Sequence, residues 1–383
     1  MKIIFLEAVQ DYGGARMSTL ELAKRMQVQG HEVLIVDLWG LDFTFNQKVE
    51  ELKLNYVVLD KRDNPFVIYN ESKIQTIKNY ISYVPHQLDY RMKFKVLSER
   101  FQPDIVSVNN IKCLSLLESN SFYSIDFFVR TWFAQVEVSF RAQLILKKYK
   151  PRFLTVSQSS RQAIYTSGLS KLENIKVLHS VIDEKVFYNF NPSYTKFDDD
   201  FPIRILHSGG FLPTKGQDIV IEIARSLREM GISFKLLLTG AVYTGRKSEE
   251  YYDYIVKLIY EYQLEDLVEI SINESNMLRC FKNSDLLIHP SSTEGLPRVA
   301  LEAMAFGMPV IANPVGGVTD VVINNFTGYI TDFNNMEQYV SFISDYYYDL
   351  NLYIKHSQQC RNLIEQNYLD LNQNELIRNI YPL

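Results

Sequence analysis

Two glutamates and a lysine are the residues of this 383-residue chain whose types and spacing can do chemistry together. Glu294 and Glu302 stand with seven residues between them inside DLLIHPSSTEGLPRVALEAMAFGMPVIANPVGG, Asp285 to Gly317. An ionised carboxylate is an acceptor with two oxygens, able to take hydrogen bonds from vicinal hydroxyls. Lys215 lies in HSGGFLPTKGQD, beside Gly209, Gly210 and Gly216, in a loop next to a helix start. A lysine so placed can neutralise a diphosphate and stabilise it as a leaving group. Between the glutamates, Gly295, Leu296, Pro297 and Arg298 lead into a helix whose first amides and dipole favour an anion. Two carboxylates beside an anion cradle suit a ligand with hydroxyls and phosphates, such as a nucleotide sugar. Taken singly, a loop glutamate, a helix glutamate and an exposed lysine are also ordinary solvated residues.

The elements that must position them follow from local pattern. Leu286-Leu287-Ile288 reads as a buried strand, and Pro290 to Thr293 break it into a loop. A helix follows from about Pro297, with proline at its first position and Val299, Ala300, Ala303 and Met304 on one face. Pro309 to Ala312 is the next strand, ending at Gly316-Gly317. Strand, loop, helix, strand is part of a parallel sheet whose ligand edge lies at the strand C-termini. The N-terminus repeats the theme. Strand Lys2 to Leu6, the turn Asp11 to Ala15 with Gly13 and Gly14, and helix Arg16 to Gln29 succeed one another. That turn is not the GxGxxG fingerprint, and serves either as a tight turn or as a close approach to a ligand.

Alternation continues through predicted strands at Glu32 to Asp37, Tyr56 to Leu59, Asp104 to Val108, Phe127 to Arg130 and Phe153 to Val156. Helices are expected at Glu71 to Tyr83, Gln87 to Phe101 and Gln135 to Tyr149. It restarts with strands at Ile203 to His207, Phe234 to Thr239 and Val268 to Ile272. This predicts an α/β chain of two Rossmann-like doubly wound domains. Residues 1–185 form the first, 186–202 an interdomain linker, 203–360 the second, and 361–383 a final helix. His289, at a strand end, reads as a core residue.

Composition sets bounds. Hydrophobic residues at 46% and charged residues at 22% suit a globular protein. A net charge of −5 gives no overall pull towards nucleic acid, so no nucleic-acid partner is expected. Cys113, Cys280 and Cys360 are far apart, without metal-like spacing, and read as buried or free thiols in a reducing compartment. Glu7 and Asp11 interrupt the N-terminus before a signal-peptide core, and no apolar run approaches a membrane span. A cytoplasmic location is expected, with a peripheral contact at the inner membrane face. That contact is read from two basic clusters. One is Arg141, Lys147, Lys148, Lys150 and Arg152 among Leu144, Ile145, Leu146 and Tyr149; the other is Tyr90, Arg91, Lys93, Phe94 and Lys95. Solvated cations over core-packed apolar residues are the competing reading.

EGLPRVALEAMAFGMPVIA, with the preceding Pro290-Ser291 and the following VGGVTDVV, resembles the glutamate-pair motif of family-four retaining glycosyltransferases of the GT-B fold. FQPDIVSVNN, LTVSQSSRQAIYTSG and IKVLHSVIDEKVF resemble further motifs of that family. The resemblance implies two domains facing across a cleft, with the final helix crossing back to the first. It implies transfer of a glycosyl group from a nucleotide-sugar donor to a glycan, lipid-linked or small-molecule acceptor, in surface polysaccharide or glycoconjugate synthesis. Glu302 would take the ribose hydroxyls, Glu294 the donor sugar and Lys215 the diphosphate. Gly13, Gly14, Gly209 and the amides near Leu296 would shape the phosphate cradle. No cofactor and no metal are required. Two departures stand out. Gly210 occupies the place of a usual phosphate-binding arginine, for which Arg298 or Arg246 are candidate substitutes. Trp132 replaces a usual histidine near the donor sugar, with Arg130 beside it. These departures leave open a non-catalytic sugar-nucleotide or glycan-binding relative. A GT-B epimerase or phosphorylase is the remaining alternative.

Overall fold

Buried apolar strands alternating with helices are satisfied by parallel sheets covered on both faces, because each crossover lays a helix against the sheet. The computed structural model describes the chain apart from residues 10–12, 63–72, 132–137, 244–245, 275 and 383, and the side chains of 73–81 and 246. Seven parallel strands make the first sheet: β1 (Lys2–Glu7), β2 (Glu32–Asp37), β3 (Asn55–Val58), β4 (Ile105–Val108), β5 (Ser124–Val129), β6 (Arg152–Thr155) and β7 (Ile175–Val177). Their order is β3-β2-β1-β4-β5-β6-β7. Six form the second: β8 (Ile203–Ser208), β9 (Phe234–Gly240), β10 (Val268–Ile272), β11 (Leu286–His289), β12 (Val310–Ala312) and β13 (Gly328–Ile330). Their order, β10-β9-β8-β11-β12-β13, reverses direction beside β8 as the first sheet does beside β1. The loops after β1, β8 and β11 therefore open at switch points, where ligand crevices form.

Several expectations change in detail. The helices expected at 71–83 and 87–101 are one helix from Lys73 to Phe101 with Pro85 inside it. Tyr83 on one side of the proline, and Tyr90 and Phe94 on the other, are buried in the same core, which holds both halves on one axis. The helix expected from Gln135 starts at Phe140 among the described residues, where the Ser139 hydroxyl accepts from the Ala142 amide. Pro297 is the residue before its helix rather than the first within it. β7 and β13 were not anticipated, because three residues carry too little alternation to show.

The joints differ too. Within the stretch expected as linker, Phe187 is buried in the second unit's core alongside Ile182, and Phe197 in another part of it. Single aromatic anchors, not a periodic face, fix this segment. The boundary placed at 361 falls inside the helix Leu350–Asn367, whose Cys360 and Ile364 still pack with Ala300 and Met304. The return begins at Asp370. In the helix Asp370–Ile380, Ile377 joins Ile3 and Phe5 in the first unit's core. Arg25 pairs with Asp370, and the Tyr381 hydroxyl donates to Asp126 at 2.7 Å. Among the described residues no helix is long and apolar enough to cross a membrane.

Candidate active site

The β8 and β11 loops are pressed together by glycine. Lys215 ends a single 3-10 turn, Pro213–Lys215, and Gly216 follows in the left-handed region at φ 73°. A Cβ there would also lie 2.7 Å from the Pro290 carbonyl oxygen, so both conformation and space demand glycine. The Ser292 amide donates to the Thr214 carbonyl at 2.9 Å, tying the loops. Gln217 Nε2 donates to the Gly209 and Gly210 carbonyls at 3.0 and 3.1 Å.

On this frame Lys215 Nζ donates to Glu294 Oε1 at 2.5 Å, and His289 Nε2 lies 3.0 Å from the same oxygen. Burial alone would raise the Glu294 carboxyl. The hydrogen bond from His289 and the Lys215 charge outweigh it and bring it down to about 2. Glu294 is thus a carboxylate near neutral pH. Behind it, His207 Nδ1 donates to the Ile288 carbonyl at 3.1 Å. Burial first, and His289 second, push His207 down to about 3, so it is neutral. His289 is buried and has a hydrogen-bond partner, as expected of a core residue at a strand end. That partner is Glu294, which brings His289 into the site as well.

Glu302 lies on the helix Arg298–Ala305, which no side chain caps at its N-terminus. Arg298 Nε donates to Glu302 Oε1 at 2.8 Å, while its two Nη atoms donate to Glu21 at 2.7 and 2.9 Å. Glu21 belongs to the helix Gly14–Val28 of the first unit, so one guanidinium bridges the units. Burial raises the Glu302 carboxyl, and Arg298 pulls the other way. Arg298, suggested above as a substitute phosphate cation, is occupied by these two carboxylates. The Arg246 side chain lies outside the described residues.

Gly295 sits where the units touch. A Cβ on it would strike the Arg130 carbonyl and approach the Thr131 amide nitrogen at 3.1 Å. Leu296, next in line, packs against the cores of both units. Arg130 itself turns inward, donating to Ser18 Oγ at 2.9 Å and Thr19 Oγ1 at 3.0 Å, with its guanidinium over the Phe128 ring. Burial pulls it down to about 10. Trp132 lies outside the described residues. Gly13 is extended, Gly14 starts its helix, and a Cβ on either would meet nothing within 4 Å. Neither glycine has a positive φ. Gly210 is different: a Cβ there would lie 2.5 Å from Cε2 of Tyr243. The tyrosine ring fills the space an arginine side chain would need.

Residues not singled out from sequence complete the walls. Glu7 is buried, paired with Arg16 at 2.5 Å, and accepts from Asn109 Nδ2 at 2.8 and 2.9 Å and from Thr19 Oγ1 at 3.3 Å. Asp320 accepts from the Gln158 amide at 2.5 Å and from Ser159 Oγ at 2.7 Å, across the units. The VGGVTDVV and LTVSQSS stretches therefore meet at the seam.

Residues 195–367 match the family described as Glycosyl transferases group 1. That stretch, a little under half of the chain, carries its similarity to group 1 glycosyltransferases. The chain is 25% identical over 340 residues to N-acetyl-alpha-D-glucosaminyl L-malate synthase of Bacillus anthracis, covering 84% of this chain and 81% of that protein. It is 28% identical over 188 residues to the capsular polysaccharide biosynthesis glycosyltransferase CapM of Staphylococcus aureus, covering 47% of each. With that protein and several other curated relatives, the chain spans under half of the relative's length. Among solved structures, Anabaena Alr3699/HepE in complex with UDP-glucose superimposes with a TM-score of 0.79 at 18% identity, each chain covered in full. The two sheets have the GT-B arrangement.

Proposed function

We propose that this protein is a retaining glycosyltransferase that moves a sugar from a nucleotide-sugar donor to a glycan, lipid-linked or small-molecule acceptor. The observation that carries it is the Lys215–Glu294–His289 cluster at the C-terminal ends of β8 and β11, at the seam with the first sheet. In this reading the donor diphosphate takes Lys215 from Glu294, which turns to the sugar hydroxyls. Glu302 accepts from the ribose hydroxyls, and the amides near Leu296 with those of Gly13 and Gly14 cradle phosphate oxygens. The bond from the anomeric carbon to the leaving diphosphate breaks while the acceptor oxygen bonds on the same face. The acceptor proton passes to the leaving phosphate oxygen. Lysine charge and amide dipoles carry the negative charge of the leaving group, so the reading needs no metal, and turnover is expected to persist in chelator.

The relatives suggest the wider setting: one is described by capsule synthesis, which fits surface polysaccharide or glycoconjugate synthesis here. Nucleotide release from a panel of nucleotide sugars, followed by determination of the product anomer, is the test. An inverted anomer would refute retention. The second reading, a donor-binding relative without catalysis, draws on the Tyr243 ring beside Gly210 in place of a second phosphate cation. It requires saturable nucleotide binding with neither hydrolysis nor transfer for any donor.

A further inference from the structure

Four buried side chains at the C-terminal ends of β8 and β11, and in the segments that follow, each keep one polar atom without a hydrogen-bond partner among the described residues. They are His207 Nε2, Gln217 Oε1, His289 Nδ1 and Ser291 Oγ. None of the four residues is more than 2% exposed. The two loops that carry them are joined, with the Ser292 amide donating to the Thr214 carbonyl and Gly216 lying against the Pro290 carbonyl. An orphaned polar atom in a protein interior is costly and uncommon, so four in one joined structure call for a shared partner.

The bonds already made decide what each atom can do. His207 donates through Nδ1 to the Ile288 carbonyl at 3.1 Å, and as a neutral imidazole it has a bare lone pair on Nε2. His289 meets the Glu294 carboxylate through Nε2, so the hydrogen is on that atom and the neutral ring is bare at Nδ1. The Gln217 amide nitrogen donates to the Gly209 and Gly210 carbonyls, which identifies Oε1 as the atom left over. Three of the four orphans are therefore acceptors, and acceptors cannot complete one another. The Ser291 hydroxyl brings the single hydrogen among them. Their shared partner must supply the rest. The two imidazole rings lie 6.5 Å apart, centre to centre. Nitrogens joined through one water stand about 4–5 Å apart, a span that this ring separation accommodates.

We propose that these atoms enclose an internal water site, in which one water donates to both His207 Nε2 and His289 Nδ1, and that His207 is thereby a positioning residue for Glu294. The water completes the His289 ring at the nitrogen that does not meet the carboxylate, so the imidazole holds Glu294 Oε1 from a fixed place. In the proposed transfer reaction, on which this inference rests, the donor diphosphate takes Lys215. His289 is then the partner that Glu294 keeps. A ring free to turn would let the carboxylate drift from the sugar hydroxyls, and small misplacements of a reacting group are expensive. Among the described residues no group of histidine, cysteine and carboxylate side chains could hold a metal ion, so water is the occupant.

The full chain tests this without substitution. A crystal structure that resolves waters should place one within about 3.2 Å of both His207 Nε2 and His289 Nδ1. No water there, or an atom at about 2.1 Å as a metal would be, overturns the proposal. Imidazole nitrogen NMR should show neutral His289 with its hydrogen on Nε2, protected from solvent exchange; a hydrogen on Nδ1 instead also overturns it. His207→Leu removes the water's acceptor. Nucleotide release at saturating donor should then fall about tenfold, the effect of one hydrogen bond, with nucleotide affinity unchanged and the His289 Nε2 hydrogen exchanging faster. His207→Gln can donate to the Ile288 carbonyl and accept from the water, and should recover turnover to within about threefold of wild type. A merely structural His207 would lower the unfolding midpoint of His207→Leu and leave turnover and imidazole exchange as in wild type, which refutes the positioning role. Should His207→Leu not fold, the wild-type water and tautomer still decide the matter. Failure of the glycosyl-transfer reading shows differently, as no nucleotide release by wild type from any donor, with the water and tautomer as proposed.

Discussion

Lys215→Ala separates what the Lys215–Glu294 contact does for the fold from what it does for the reaction. The side chains are 26 and 12% exposed, so the pair lies between a surface ion pair and a fully buried one. Surface pairs contribute about 0–1 kcal/mol, and breaking a buried pair costs about 3–5 kcal/mol. Glu294 keeps His289 at 3.0 Å after the lysine is gone, so its charge is not stranded. The expected loss of stability is therefore ~1–2 kcal/mol, within the ~5–15 kcal/mol that keeps a domain folded. The effect on the reaction is larger. A positioned charge on a developing anion is worth ~2–4 kcal/mol, so turnover at saturating donor should fall roughly 30- to 1000-fold. Lys215→Arg restores the charge and should recover part of the rate. The assay is nucleotide release at saturating donor, with thermal unfolding of the same samples. Turnover within threefold of wild type would remove Lys215 from the mechanism. A rate loss that Lys215→Arg failed to relieve, with both variants folded, would make the lysine a structural partner of Glu294 instead.

Glu302→Gln should weaken nucleotide binding about 10- to 150-fold by calorimetry, the equivalent of ~1.5–3 kcal/mol for a charge-assisted bond, whereas Glu294→Gln should mainly lower turnover. Unchanged affinity and rate in both variants would undo the site assignment. Gly210→Arg forces a Cβ to 2.5 Å from the Tyr243 ring and should lower unfolding stability by ~1–3 kcal/mol; Tyr243→Ala in the same chain should restore it, as read from denaturant midpoints. His207, lowered to about 3 from 6.5, refuses a proton that the unfolded chain accepts below pH 6.5. Stability should therefore fall as pH drops from about 6.5 towards 3, by up to ~1.4 kcal/mol per unit, and His207→Gln should flatten that slope in denaturant titrations at pH 7 and 5.

Much of the fold was legible because most strands are short apolar runs and most helices show one apolar face. β2 and β10 match the sequence reading at both ends. Pro85 misled because a proline breaks a helix only when tertiary packing does not hold its two halves together, and here Tyr83 and Tyr90 do. In the site, Glu294 and Lys215 could be paired in thought because each lies in a glycine-bearing loop after a strand. His289 could not, since a buried strand end looks the same whether its imidazole meets a carbonyl or a carboxylate. Tyr243 was equally invisible, because the space in front of Gly210 is set by the loop after β9 and not by its own neighbours.

The seam between the units was the least legible part, and the reason is distance along the chain. Glu21 and Arg298 are 277 residues apart, and Gln158 and Asp320 162, so no local pattern joins them. Yet these contacts bear on the proposed chemistry. Arg298 is the shared partner of Glu21, on the first unit, and of Glu302, the proposed ribose acceptor. A donor that engages Glu302 competes with Arg298 Nε, while its Nη atoms retain Glu21 through two hydrogen bonds. Losing one of three charge-assisted bonds weakens the guanidinium's hold on its own helix without breaking the link between units. The same guanidinium that would otherwise neutralise Glu302 thus keeps the two walls together as the ribose arrives. The reason for a cation at 298 is then found in the opposite domain, not in the diphosphate.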